Sequence, residues 1–208
     1  QDLAASLPAR LLGAGEGRHV LDLCAAPGGK TMQLAAAGWR VSAVDSSDKR
    51  LQRLEQNVAR TGLTVETIAA DLLDWAPDGP ADAVLLDAPC SATGIFRRHP
   101  DVLYRIAPRH IAERAEQQTR LLERAADWVK PGGVLVYAVC SLEPEEGEAI
   151  TQAFLIADPR FAIDPVDQEE LPDGVTPHAN GWVRTLPGML VRSGGLDGFF
   201  MVRMRHSG

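Results

Sequence analysis

Five short apolar runs, at 19–24, 40–44, 64–69, 82–87 and 133–139, alternate with stretches whose apolar residues step three and four apart. This alternation is the feature that most restricts the fold: strands separated by helices form a parallel sheet whose two faces those helices cover. Leu51, Leu54 and Val58 make one helical stripe. Ile111, Ala115, Gln118, Leu122, Ala125 and Val129 make another, interrupted only by Gln118. Lys130-Pro131-Gly132-Gly133 reads as the stop of that helix and the turn into the next strand. Pro144 with Glu143, Glu145 and Glu146 reads as the first turn of a further helix, where a missing amide is harmless and carboxylates meet the positive dipole end. Past residue 157, prolines and glycines break the pattern until Gly198-Phe199-Phe200-Met201-Val202, a last strand. The expected architecture is one doubly wound α/β domain over 1–208, with a long structureless stretch at 88–107.

The three cysteines, Cys24, Cys90 and Cys140, are far apart and lack C-x-x-C spacing, so neither a disulfide framework nor a zinc site is indicated. The histidines make no metal-ligand spacing either, and no metal is expected. No run of about 18 apolar residues could span a bilayer, and no signal-like start is present. A cytoplasmic protein with no membrane partner is therefore expected. A net charge of −7 argues against non-specific coating of nucleic acid. The basic residues nevertheless crowd one segment, at Arg97, Arg98, His99, Arg105, Arg109, His110 and Arg114. The chain opens on Gln1 inside a helical pattern (Leu3, Leu7, Leu11), as a piece of a longer protein would.

In an open parallel sheet, residues just past the carboxyl ends of the strands line the ligand crevice. Val20-Leu21-Asp22-Leu23-Cys24 runs into Ala25-Ala26-Pro27-Gly28-Gly29-Lys30-Thr31, a strand, a glycine turn and a helix start. Such a turn lets a ligand approach the backbone and offers amides to a phosphate or carboxylate. Asp45 ends the next strand, and an acid about 20 residues past the glycine turn clamps ribose hydroxyls. Asp71, after the third strand, is placed to reach an adenine. Asp87-Ala88-Pro89-Cys90-Ser91 follows the fourth run and Cys140-Ser141 the fifth, so a carboxylate and two thiols converge at the same edge.

Two other readings use the same residues. Gly29-Lys30-Thr31 with Ala83-Val84-Leu85-Leu86-Asp87 outlines a P-loop-like NTPase. That pattern requires glycine where Cys24 stands, and it leaves Asp45, Cys90 and Cys140 without a task. A non-catalytic RNA-binding remnant of the fold is the other alternative, and the intact Cys140, Cys90 and Asp87 speak against it. A nicotinamide site lacks its G-x-G-x-x-G.

With Asp-Leu-Cys-Ala-Ala-Pro-Gly-Gly-Lys-Thr at 22–31, Asp-Ala-Pro-Cys-Ser at 87–91 and Cys-Ser at 140–141, the chain closely resembles the RNA cytosine-C5 methyltransferases of the Nol1/Nop2/Sun family. Ser91-Ala92-Thr93-Gly94-Ile95-Phe96-Arg97-Arg98-His99-Pro100-Asp101 is most similar to its Fmu/Sun branch, which acts on small-subunit (16S) ribosomal RNA. The resemblance implies a class I S-adenosylmethionine-dependent methyltransferase fold of Rossmann-like type, with seven strands of which the last is antiparallel. It implies that Cys24, Ala25, Ala26, Pro27, Gly28, Gly29, Lys30, Asp45, Asp71 and Asp87 bind S-adenosylmethionine, that Cys140 is the nucleophile and that Cys90 helps release the product. In members of the branch a NusB-like domain and a substrate-recognition region precede this point. DNA cytosine-C5 enzymes instead use the cysteine of a Pro-Cys pair, which would make Cys90 the nucleophile.

The chemistry needs such residues. Carbon 5 of cytosine is a poor nucleophile, and covalent attack at carbon 6 pushes electrons into the ring. A thiolate attacks well and can later leave. An Asp87 kept protonated by burial would donate to the N3 side of the ring. The base that removes the C5 proton is left open between Cys90, a water and Asp87. The target base must leave its stack, and Arg97, Arg98 and His99, beside the first thiol, are the expected RNA contacts.

Overall fold

Apolar side chains alternate along the central strands, and each strand therefore feeds both faces of one sheet. The computed structural model describes residues 1–208. In chain order it runs α1 (Leu3–Arg10), β1 (His19–Leu23), α2 (Gly29–Ala36), β2 (Arg40–Asp45), α3 (Asp48–Thr61), β3 (Glu66–Ala69), β4 (Ala81–Asp87), α4 (Val102–Arg105) and α5 (Pro108–Ala126). It continues through β5 (Val129–Val139), α6 (Glu148–Ala157), β6 (Phe161–Ile163), β7 (Val183–Thr185) and β8 (Phe199–His206). The sheet order is β3-β2-β1-β4-β5-β8-β6, and β7 adds an eighth strand by pairing with β8 off that path. From β3 to β5 the pairing is parallel, whereas β8 runs antiparallel to β5. The mostly parallel, doubly wound sheet with an antiparallel late strand agrees with the expectation, but it has eight strands and not seven, because the three-residue β7 also finds a place on β8.

Val20, Ala83, Leu85, Val136 and Ala138 pack on one face against Leu34, Leu51, Leu54 and Val58 of α2 and α3. Their neighbours Leu21, Leu23, Val84, Leu86, Leu135 and Tyr137 pack on the other against Leu122 and Ala125 of α5 and Phe154 of α6. Burying each of these larger side chains stabilises the fold by about 1.5–3 kcal/mol. Helix α3 starts where Ser47 caps the Arg50 amide and stops at Gly62 in the left-handed region.

Four local expectations change. Helix α5 ends at Ala126, so Val129 belongs to β5 and not to the helical stripe. Lys130-Pro131-Gly132-Gly133 lies inside β5, where the partner of Ala81 is Val129 but the partner of Ala83 is Val134. A bulge absorbs the extra residues, with Gly132 at φ +78° and Lys130 Nζ 2.7 Å from Asp82 Oδ1. The 88–107 stretch carries a 3-10 turn at Thr93–Ile95 and the short α4. Finally, Pro144–Glu146 forms a separate 3-10 turn, and α6 begins only after Gly147. No helix is long and apolar enough to cross a membrane.

The loop after Cys90 is locked to the rest of the sheet. The Gly94 amide donates to the Cys140 carbonyl at 3.0 Å, and the Gly198 amide donates to the Gly94 carbonyl at 2.8 Å. A Cβ on Gly94 would lie 2.0 Å from the Gly198 oxygen, which excludes any other residue. Further along, Asp197 is fully buried and accepts a forked hydrogen bond from the Arg98 guanidinium, with Arg97 Nη2 at 3.4 Å. Arg97 also reaches Asp2 at 2.7 Å. Replacing Arg98 by alanine leaves the buried carboxylate with only the 3.4 Å contact to Arg97, and urea unfolding should show a loss of about 1–3 kcal/mol. Arg105→Ala, which frees only the exposed Asp101, should cost less than about 0.5 kcal/mol. Equal stability of the two variants would contradict this assignment.

Candidate active site

The strand register sets the site. Leu23 lies opposite Val44 on one side and Leu86 on the other, and Asp87 lies opposite Ala138. Cys24, Asp45 and Asp87 therefore emerge at one level, with Cys140 two residues beyond it, at the edge where strand order reverses about β1. That edge is where open α/β sheets bind ligands.

Cys24 adopts φ +60° and starts a tight turn through Ala25, Ala26 and Pro27 to Gly28 at φ +97°. A Cβ on Gly28 would lie 2.8 Å from Leu54 Cγ, so glycine is required both for the turn and for its packing on α3. Gly29 and Lys30 begin α2. Asp45 pins this turn: Oδ2 accepts from the Ala26 amide at 3.1 Å and Oδ1 from the Ser47 amide at 3.0 Å. From α3, Arg50 donates to the Ala26 carbonyl and Asn57 to the Pro27 carbonyl. Asp71 accepts from the Leu73 amide.

Cys24, Asp45, Asp71, Asp87, Cys90 and Cys140 share a cleft of ≈ 480 Å³. Burial, reinforced by the charges of Asp87 and Asp45, pushes the Cys24 thiol up to about 12, so this third sulfur stays neutral. Lys30 Nζ lies 2.8 Å from Asp87 Oδ2, and Thr31 Oγ1 donates to the buried Asp22 at 2.6 Å. These contacts leave neither residue for a nucleotide phosphate or its magnesium, as the P-loop-like alternative would need. Asp87 departs from the expectation of a buried acid: its side chain is 30% exposed and ion-paired.

The two thiols meet, with Cys90 Sγ 3.3 Å from Cys140 Sγ. The hydrogen bond to Cys140 and then burial push the Cys90 thiol well above its usual range. Cys90 thus keeps its proton, which can be donated to the Cys140 sulfur. A second cleft, of ≈ 550 Å³, opens on the far side of Cys90 and is rimmed by His99, Arg105, His110 and Arg114. The two clefts share Cys90, Ala92, Arg114 and Gln117. His99 faces this cleft, whereas Arg97 and Arg98 turn toward Asp2 and Asp197, at 32% and 44% side-chain exposure.

One residue of the site went unrecognised in the sequence. Glu146, read there as a helix-start acid, is fully buried. Its Oε1 accepts from the Ser91 amide at 2.8 Å and from Gln118 Nε2 at 2.9 Å, and its Oε2 accepts from the hydroxyls of Ser91 and Ser141. Gln118, the polar break in the α5 stripe, is its partner; the carboxylates of Glu143 and Glu145 do not join them, although the Glu143 amide donates to Ser141 Oγ at 3.1 Å. The signals available in the sequence were that break and the serines that follow Cys90 and Cys140.

A family model described as 16S rRNA methyltransferase RsmB/F matches residues 9–205. The ribosomal RNA small subunit methyltransferase B of Thermus thermophilus is 40% identical over 205 residues, 99% of this chain and 49% of that protein. The protein of the same name from Shewanella oneidensis is 39% identical over 209 residues, 98% of this chain and 46% of its own length. The chain thus spans about half the length of the curated relatives it matches. Among solved structures, NSun6 from Pyrococcus horikoshii, determined with SFG, superposes with a TM-score of 0.85 at 30% identity, covering 100% of this chain and 53% of that one. The match over almost the whole chain means that this protein belongs to the RsmB/F family of 16S rRNA methyltransferases.

Proposed function

We propose that this domain transfers a methyl group from S-adenosylmethionine to carbon 5 of a cytosine in 16S rRNA, through a covalent bond between Cys140 and carbon 6. The observation that carries the reading is the thiol pair, 3.3 Å apart where the two clefts meet. One cleft sets Asp45, Asp71 and Asp87 against Arg50 and Arg114, and the other sets Arg105, Arg114, His99 and His110 against Glu113, so carboxylates prevail in the first and basic groups in the second.

The carboxylate cleft fits the donor. Asp45 and Asp71 each keep lone pairs beyond their backbone contacts, suited to ribose hydroxyls and an adenine amine, whereas a triphosphate would be repelled by three carboxylates. Bound there, S-adenosylmethionine supplies an electrophilic methyl group. Cys24, Ala25, Ala26, Pro27, Gly28, Gly29 and Lys30 form the turn that would bear on it, with Asp87 at its boundary.

Cys140 attacks carbon 6 of the target base and makes carbon 5 nucleophilic. Once Cys140 is bound to carbon 6 it no longer faces Cys90 as a free thiol, and Cys90 gives its proton to water; the Cys90 thiolate then takes the carbon 5 proton as the sulfur–carbon 6 bond breaks and Cys140 leaves as thiolate. Asp87, held by the buried Lys30, presents an acceptor to the exocyclic amine of cytosine. His99 faces the basic cleft directly. Arg97 and Arg98 retain unpaired N–H groups at their exposed ends for phosphates on either side of the flipped base.

Asp45→Ala should weaken S-adenosylmethionine binding by about 1–3 kcal/mol in calorimetry, because the Ala26 and Ser47 amides lose their acceptor as well as the ligand. Magnesium-ATP should show no heat with either protein. A second outcome separates the thiols. Cys140→Ala should abolish tritiated methyl transfer to unmodified 16S rRNA while binding the donor normally, and Cys90→Ala should accumulate a protein–RNA species stable on denaturing gels. Adduct in Cys140→Ala and none in Cys90→Ala would invert the two roles.

A further inference from the structure

Glu146 is a buried carboxylate without a lysine or arginine partner. A charge in that position persists only when hydrogen bonds fill its lone pairs. Here each oxygen receives two, and the donors are not scattered: three of the four come from Ser91 and Ser141, the residues that directly follow Cys90 and Cys140. The fourth donor, Gln118, uses the same amide group to reach the carbonyl of Pro89, the residue before Cys90, at 2.9 Å. Cys90 is therefore held from both sides.

Cys140 is held in the same way. Ser141 Oγ donates to Glu146, and the Ser141 carbonyl accepts from Arg184 Nη1 at 2.9 Å. Arg184 is itself fixed by Glu148, with Nε 2.8 Å from Oε1. The backbone of Glu146 is fixed too, because Tyr137 of β5 donates its hydroxyl to the Glu146 carbonyl at 2.6 Å. The carboxylate thus sits on a rigid turn and grips two loops that leave different strands.

We infer that Glu146 is the positioning residue of the thiol pair: by accepting hydrogen bonds from the residue after each cysteine, its carboxylate sets the separation and facing of Cys90 and Cys140. The catalytic consequence rests on the methyltransferase reading above, since two sulfurs must then serve adjacent carbons of one ring. The geometric claim does not. A displacement of about 1 Å between reacting groups costs on the order of a hundredfold in rate, which is why a dedicated clamp matters here.

The test uses phenylarsine oxide, which condenses with two thiols to form two As–S bonds and releases one water. The reagent binds tightly only to sulfurs already held close together. In wild type it should bridge Cys90 and Cys140, as mapped by peptide mass spectrometry, and Cys140→Ser should bind it no better than a single thiol. Glu146→Ala should lower its affinity by about tenfold or more. Glu146→Gln, which keeps the shape and whose amide can donate to the two serine hydroxyls, should restore most of it. Where Glu146→Ala does not fold, Ser141→Ala cuts the hydroxyl link from Glu146 to the Cys140 side and should lower affinity at least several-fold while circular dichroism is unchanged.

A folded Glu146→Ala or Ser141→Ala protein with wild-type arsenical affinity would overturn the inference. Neither RNA nor methyl donor enters this measurement, so its failure is separable from failure of the proposed reaction. If the reaction also holds, Glu146→Ala should lower kcat by roughly a hundredfold with an unchanged KM for the donor.

Discussion

The level ends of the parallel strands are the constraint on which the site depends. Alternating side chains bury both faces of the sheet, so the strands cannot slip by one residue without turning a whole apolar set outward. Leu23 opposite Leu86, and Leu86 opposite Tyr137, are fixed in this way. Once they are fixed, Cys24, Asp87 and Cys140 follow at one edge with no further instruction. The polar chemistry is carried by short segments whose starting points are set by hydrophobic packing.

What the register leaves open, hydrogen bonds close. Cys90 lies three residues beyond the end of β4, in a loop that the sheet alone would not hold. Gly94 against Gly198, Arg98 on Asp197, and Glu146 between Ser91 and Ser141 each join that loop to β5, β8 or the turn after Cys140. A buried carboxylate is costly unless its partners are complete, and both Asp197 and Glu146 have theirs supplied by this loop or its neighbours. The polar groups therefore make the loop's position specific where apolar packing would leave it loose.

Much of this was legible in the sequence and some was not, for physical reasons. The central strands and the stripes of α3 and α5 were readable because their periods reflect burial directly. Phe161–Ile163 and Val183–Thr185 were not, since three residues carry no period and are strands only because β8 offers an edge. Lys130-Pro131-Gly132-Gly133 was misread because proline and glycine serve equally to stop a helix and to bulge a strand. Only the partner Ala83 distinguishes the two. The turn after β1 and the thiols were legible through their spacing from strand ends. Glu146 was hidden among three glutamates that a helix start explains equally well, and the Arg98–Asp197 pair joins residues 99 apart in sequence.

The central claim is that Cys140 forms the bond to carbon 6. It is tested most directly with a 16S rRNA fragment in which 5-fluorocytidine replaces cytidine, since fluorine at carbon 5 blocks loss of the proton that releases the enzyme. Wild-type protein with S-adenosylmethionine should then form a complex that survives denaturation, with the nucleotide attached to the peptide that contains Cys140. Attachment to the Cys90 peptide, or methyl transfer to ordinary RNA with no trapped complex on the fluorinated one, would contradict the account.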